Sequence, residues 1–332
     1  MNDTRPIVVS GIRPTSTVHL GNYLGAIQHF VRLQETHRCY YFAADWHALT
    51  TMTDPTAIKQ NIYSTILDFL SAGISYEESS IFIQSSVPQI AELSWILSNL
   101  MSVAELERCP TFKEKVESQP NNVNVGLLTY PVLMAADILI HKANTVPVGQ
   151  DQLPHLEMAR DLARSFNKRF GSTFPEPEKL PGADVRVPAI EGGSKMSKSG
   201  GTILSMHDTP EQIREKCRRA FTDPKRPRRQ DKGHPWECNL FTLHEHVSGT
   251  DSTEVRDIME GCQNAEIGCS ECKDRFANSV LHLFNPMRER REVLARQDGL
   301  VEHVLHMGAV NAQQSACITL AEVRERVGLV MY

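Results

Sequence analysis

The chain has 332 residues, of which 41% are hydrophobic and 23% charged, with a formal net charge of −5. These values fit one large or two average globular domains and exclude a fibrous or disordered chain. No run of about 18 apolar residues occurs, so no helical membrane span is expected, and the polar opening Met1–Pro6 differs from a secretory signal, which points to the cytoplasm.

Arg5 to Gly11 reads as a short buried strand. After a turn at His19, Leu24, Ile27 and Val31 recur on one helical face. Cys39 to Ala44 is a second, aromatic-rich strand that ends at Asp45. Asp54-Pro55 opens a helix with Ile58, Ile62, Ile66 and Phe69 on its inner side. Ile81-Phe82-Ile83 is a third strand, followed by a helix around Ala91 to Met101. Residues 109–125 carry Pro110, Pro120, Asn121 and Asn122 and read as a mobile loop. Tyr130 to His141 is an apolar helix with Asp137 in its middle, Val146 to Gly149 a further strand, and Asp151 the start of another helix. Strands alternating with helices predict an α/β fold with a doubly wound parallel sheet, whose ligands sit at the carboxyl ends of the strands. Beyond about residue 203 the strand signal fades, and Thr209-Pro210-Glu211-Gln212 carries the cap, proline and capping-box glutamine of a helix start. The expected organisation is a Rossmann-like catalytic domain over 1–200, a helical domain over 201–300, and C-terminal helices over 301–332 that could pack back on the first.

Two separated segments carry the chemistry. Thr17-Val18-His19-Leu20-Gly21-Asn22 sets an imidazole, a glycine and an amide at a strand-to-helix turn, where backbone N–H groups and the helix dipole favour an anion. Lys195-Met196-Ser197-Lys198-Ser199 lies between Gly192-Gly193 and Gly200-Gly201, a pattern suited to a hinged lid. His19 and Asn22 are placed to donate hydrogen bonds to a transferring phosphoryl group, and Lys195 and Lys198 to neutralise leaving pyrophosphate. A dinucleotide fingerprint and a Walker loop are both absent, which argues against a dehydrogenase or a P-loop ATPase.

The pair resembles the HIGH-like and KMSKS signatures of class I aminoacyl-tRNA synthetases. Asp45 to Thr50, Pro131 to Ile138 and Val146 to Gln152 narrow the resemblance to bacterial-type tryptophanyl-tRNA synthetases. The resemblance implies activation of L-tryptophan by ATP with Mg²⁺, then transfer to tRNA(Trp), by a homodimer. It implies an ATP site of Arg13, Gly21, Asn22, Gly149, Asp151, Lys195, Met196, Ser197, Lys198 and Ser199. It also implies a tryptophan site of Asp137 (accepting the indole N–H), Met134 (against the ring), Tyr130, Gln152 and His47. Asp137 supports this independently, because a buried carboxylate on an apolar helix needs a partner. Arg13 stands where many such enzymes have glutamine, and it could reach either the amino-acid carboxylate or the nucleotide. Tyrosyl specificity, another adenylyltransferase of the same fold, and a synthetase-like RNA-binding protein are the rival readings.

Eight cysteines in a cytoplasmic protein are expected to be reduced. Cys238, Cys262, Cys269 and Cys272 resemble the Cys-x22-Cys-x6-Cys-x2-Cys pattern of the subset with a [4Fe–4S] cluster, although here the first gap is 23 residues. Four thiolates could hold that cluster or zinc, or could remain unligated. Between Arg214 and Lys232 lie nine basic and three acidic residues, a stripe that could meet RNA phosphates despite the acidic whole. Arg288, Arg290 and Arg291 add further positive charge.

Overall fold

The computed structural model describes residues 4–15, 17–182, 187–192, 196 and 201–330. The chain divides into two compact units. One comprises Met1–Ser16, His29–Asp184 and Gln297–Tyr332, and the other Thr17–Gln28 and Val185–Arg296.

The first unit is built on strands Ile7–Ile12 (β1), Arg38–Ala43 (β2), Ser79–Ile83 (β3), Thr145–Val146 (β4) and Glu178–Lys179 (β5). They form one sheet in the order β3-β2-β1-β4-β5, with every pairing parallel. Ile7 to Ile12 pair with Arg38 to Ala43, and Cys39 to Ala43 pair with Ser79 to Ile83. Cys39 to Ala43 are all buried, as an interior strand covered on both faces requires. The strand order reverses between β1 and β4, and the crevice of such a sheet opens at the carboxyl ends there. Arg13, Asp45 and Gln84 follow the ends of β1, β2 and β3.

Local signals explain the helices. Asp54 Oδ1 accepts from Thr56 N at 2.9 Å, Pro55 fills the first position of helix Pro55–Ala72, and Gly73 closes it at φ 107°. Helix Leu300–Val327 lies against β3, so closely that a Cβ on Gly308 would fall 1.8 Å from Ile81 O. No helix of the described residues is long and apolar enough to cross a membrane.

Two expectations are corrected. Residues 109–125 are not an irregular loop: Pro110–Ser118 is a helix and Pro120–Asn122 a 3₁₀ turn. Pro110 sits at the first helical position, where its missing N–H costs nothing. The strand expected over 146–149 is only Thr145–Val146, because Pro147 has no N–H to extend the ladder.

The second unit is mainly helical, with Pro210–Arg218, Asn239–Ser248, Thr253–Gln263 and Cys269–Ala295. Its capping box forms as the sequence predicts: Thr209 N donates to Gln212 Oε1 at 2.8 Å and Gln212 N to Thr209 Oγ1 at 3.3 Å. Phe241, Val255, Ile258 and Ile267 make a small core against which Cys238, Cys262 and Cys272 pack.

Candidate active site

In the first unit, buried polar side chains converge around the helix Val125–Leu139. Asp137 is 2% exposed. Gln84 Nε2 donates to its Oδ1 at 2.7 Å and to its Oδ2 at 2.9 Å. His47 Nε2 lies 2.9 Å from Oδ2. Burial pushes the Asp137 carboxyl above the usual range, against the opposing pull of His47 and Gln84. A carboxylate has about four lone-pair positions, so one acceptor position remains beyond these three contacts. Met134, one turn earlier on the same helix, is partly buried against the core.

Tyr130 continues the group. Its hydroxyl lies 2.6 Å from Thr111 Oγ1 and 2.7 Å from His155 Nε2, and its ring meets His47 edge-on with centroids 6.3 Å apart. Burial pushes the Tyr130 phenol up to about 12. Gln152 Oε1 is 3.0 Å from His155 Nδ1, and Gln152 Nε2 donates to Asp151 Oδ2 at 3.0 Å. A Cβ on Gly149 would come within 2.9 Å of Asp151 Oδ1, so a larger residue there would displace the Asp151 carboxylate. Lys115 Nζ stands 3.4 Å over the Tyr130 ring, and burial, then the charge of Arg13, lowers its pKa to about 8. Arg13 Nη2 donates to Thr51 Oγ1 at 2.5 Å, while its buried Nε has no partner. Two cations thus stand beside the Tyr130 phenol.

In the second unit, His19 caps the short helix Leu20–Asn22. Asn22 N donates to His19 Nδ1 at 3.3 Å and His19 N to Asn22 Oδ1 at 3.2 Å. The cap therefore assigns the ring hydrogen to Nε2 and makes Nδ2 the donor of Asn22. His19 bridges Ser205, Leu20 N donates to Leu204 O at 2.8 Å, and Met206 N to Val18 O at 3.1 Å. A Cβ on Gly21 would lie 3.5 Å from Met196 O, so the His19 turn and the buried Met196 share one neighbourhood. Lys195, Ser197, Lys198 and Ser199 lie outside the described residues.

Cys238, Cys262, Cys269 and Cys272 line one cavity of this unit, together with Asp223, Arg226 and His234. Burial and the neighbouring thiols push Cys238, Cys262 and Cys272 up. Arg226 is 6% exposed. Its Nη2 donates to Arg229 O at 2.6 Å, and its Nε has no partner. Gly233 lies so close that a Cβ there would fall 2.3 Å from Cys262 Sγ. A buried cation among four thiols fits an anionic thiolate-bound metal group. Among the described residues no three His, Cys, Asp or Glu side chains are set to hold a metal ion.

Gln84, Lys115, Thr111 and His155 were not singled out from the sequence. The only signals for them are polar types next to positions already chosen: Gln84 directly after β3, and His155 three residues beyond Gln152.

Comparison with known proteins gives the family of the chain. The family described as tRNA synthetases class I (W and Y) covers residues 1–285. The chain belongs to that family of class I tRNA synthetases. The tryptophan–tRNA ligase of Porphyromonas gingivalis is 43% identical over 327 residues, 97% of this chain and 98% of the relative. That of Thermotoga maritima is 39% identical over 330 residues, 97% of this chain and 99% of the relative. A solved tryptophanyl-tRNA synthetase from Campylobacter jejuni, complexed with ADP and tryptophan, superposes with a TM-score of 0.85 at 31% identity, covering 97% of this chain and all of that one.

Proposed function

We infer that the protein is a tryptophan–tRNA ligase, which joins L-tryptophan and ATP into tryptophanyl-adenylate and passes the amino acid to tRNA(Trp). The observation that carries this is the buried Asp137 carboxylate, fixed by Gln84 and His47 with one acceptor position left for an indole N–H. A site built on one required hydrogen bond rejects side chains that lack it. Tyr130 and Gln152 hold the amino-acid backbone, and Met134 packs on the ring. Activation needs no protein nucleophile: the substrate carboxylate attacks the α-phosphorus in line, and positioning and charge do the rest. His19 Nε2–H and Asn22 Nδ2 supply donors to the phosphates, and Lys195 and Lys198 accompany the pyrophosphate. Gly21, Gly149, Asp151 and the segment Met196, Ser197 and Ser199 border the nucleotide. Arg13 adds positive charge for the reacting carboxylate or nucleotide, and Mg²⁺ comes with ATP. Amino-acid-dependent ATP–pyrophosphate exchange with all twenty amino acids tests the assignment. Exchange is expected with tryptophan; exchange with tyrosine instead overturns it.

The finer reading places a [4Fe–4S] cluster on Cys238, Cys262, Cys269 and Cys272, where it would tie the loop before Asn239 to helix Cys269–Ala295 beside the basic stripe. The buried Arg226 with its unpartnered Nε supports an anionic group there. Anaerobically purified protein is expected to be brown and to carry iron; a colourless protein with stoichiometric zinc replaces this reading. Exposed apolar side chains at Trp95, Val103 and Val125 support a homodimer, which sedimentation velocity tests.

A further inference from the structure

We propose that His155 is a positioning residue for the amino acid: as a neutral imidazole with its hydrogen on Nδ1, it holds the Tyr130 hydroxyl as a hydrogen-bond acceptor for the substrate's ammonium. The proposal rests on the reading of Tyr130 and Gln152 as contacts of the amino-acid backbone.

One chain of hydrogen bonds links Asp151, Gln152, His155, Tyr130 and Thr111. Gln152 Nε2 donates to the Asp151 carboxylate, so its Oε1 is the end 3.0 Å from His155 Nδ1. That oxygen only accepts, so Nδ1 carries the hydrogen, and the other nitrogen of a neutral ring is a bare acceptor. His155 is 2% exposed, and burial, helped by the Lys115 and His47 charges, lowers its pKa to about 4, which keeps the ring neutral near pH 7. Its Nε2 lies 2.7 Å from both Tyr130 Oη and Thr111 Oγ1, which are 2.6 Å from each other. Three atoms in so tight a triangle need a hydrogen along the edges, and only the two hydroxyls can provide one. Thr111 Oγ1 also has Cys109 Sγ at 3.2 Å, whereas both partners of the Tyr130 hydroxyl lie inside the triangle, so its hydrogen is used there and the phenolic oxygen keeps a lone pair for a donor outside it. The ammonium of a free amino acid is such a donor. With His155 protonated or removed, only Thr111 Oγ1 remains beside the phenol to take its hydrogen, and the Tyr130 hydroxyl loses the fixed orientation that turns its lone pair to the ammonium.

The test compares tryptophan with indole-3-propionate, which has the same ring and carboxylate but no ammonium. Dissociation constants are measured by calorimetry on the full-length wild type and on His155→Phe, Tyr130→Phe and the double variant. In His155→Phe the tryptophan Kd is expected to rise about ten- to a hundredfold, as loss of a hydrogen bond to a charged group predicts. The indole-3-propionate Kd should stay within about twofold, and the double variant should do no more than either single one, because both act through one contact. His155→Asn, too short to reach Tyr130, is expected to narrow the ratio in the same way and replaces the phenylalanine variant if that one does not fold. Equal weakening of both ligands means a merely structural role and overturns the proposal, as does an unchanged tryptophan Kd. A wild type that holds both ligands equally well defeats instead the reading of Tyr130 and Gln152, and the proposal with it.

Discussion

The Asp137 carboxylate in the first unit and the Arg226 guanidinium in the second are both more than nine-tenths buried, yet their surroundings differ. Both oxygens of Asp137 accept from the Gln84 Nε2, and one is paired with His47. Arg226 has one carbonyl acceptor and an Nε with no partner, and among the described residues no carboxylate pairs with it. A buried ion costs several kcal/mol unless its surroundings answer it. The first site is thus a fixed acid with one hydrogen-bond position left over. The second is a cation among thiols, and thiols answer a cation only as thiolates.

The largest effect expected is that of Asp137→Asn. It removes the charge and sets an amide N–H against the Gln84 or His47 donor, so kcat/KM for tryptophan in pyrophosphate exchange should fall about a hundredfold. A fall of less than about threefold would mean that the acid is not the recognition element. Arg226→Met probes the other side of the comparison. In metal-free protein it should leave urea-unfolding stability unchanged or raise it by about 1 kcal/mol, because it deletes an unanswered charge; a loss above about 2 kcal/mol would show that the charge is answered after all. Lys115 gives a pH signature. With its pKa lowered to about 8, the folded protein releases this proton between about 8 and the ordinary 10.5 while the unfolded chain still holds it. Its contribution to stability therefore rises with pH across that window, while the positive charge beside Tyr130 disappears and the KM for anionic substrates should climb above pH 8. A flat KM profile would place that charge away from the substrates. The smallest effect is expected at the half-exposed Lys142–Glu322 pair, where Lys142→Ala should cost about 0.5 kcal/mol or less in urea unfolding. A larger loss there would show that paired charges matter in this unit well beyond the buried acid.

The sequence made legible what depends on local pattern. The apolar runs of β1, β2 and β3, the Asp54-Pro55 helix start and the Thr209 capping box are each set by residues within a few positions of one another. Asp137 also stood out, because one acid interrupts an otherwise apolar helix. What stayed hidden depends on partners far along the chain. Gln84 meets Asp137 across 53 positions, and His155 meets Thr111 across 44, with no periodicity to announce either. The helix Pro110–Ser118 was hidden for another reason: proline is both a loop residue and a good first residue of a helix, and only packing decides between the two. The pairing of Val18 and Leu20 with Leu204 and Met206 likewise joins segments that no local signal connects.

The contact between Gly308 and the backbone of Ile81 has a consequence for biosynthesis. β3 is an outer strand of the sheet, and the helix against it begins at Leu300, more than two hundred residues downstream. A ribosome therefore delivers the cover long after the strand it shields, and until then an apolar strand margin is open to stray pairing with other nascent chains. A nonsense codon between β3 and residue 300 would thus yield a product prone to clump, and chaperone demand during synthesis should drop only once the helix Leu300–Val327 has emerged.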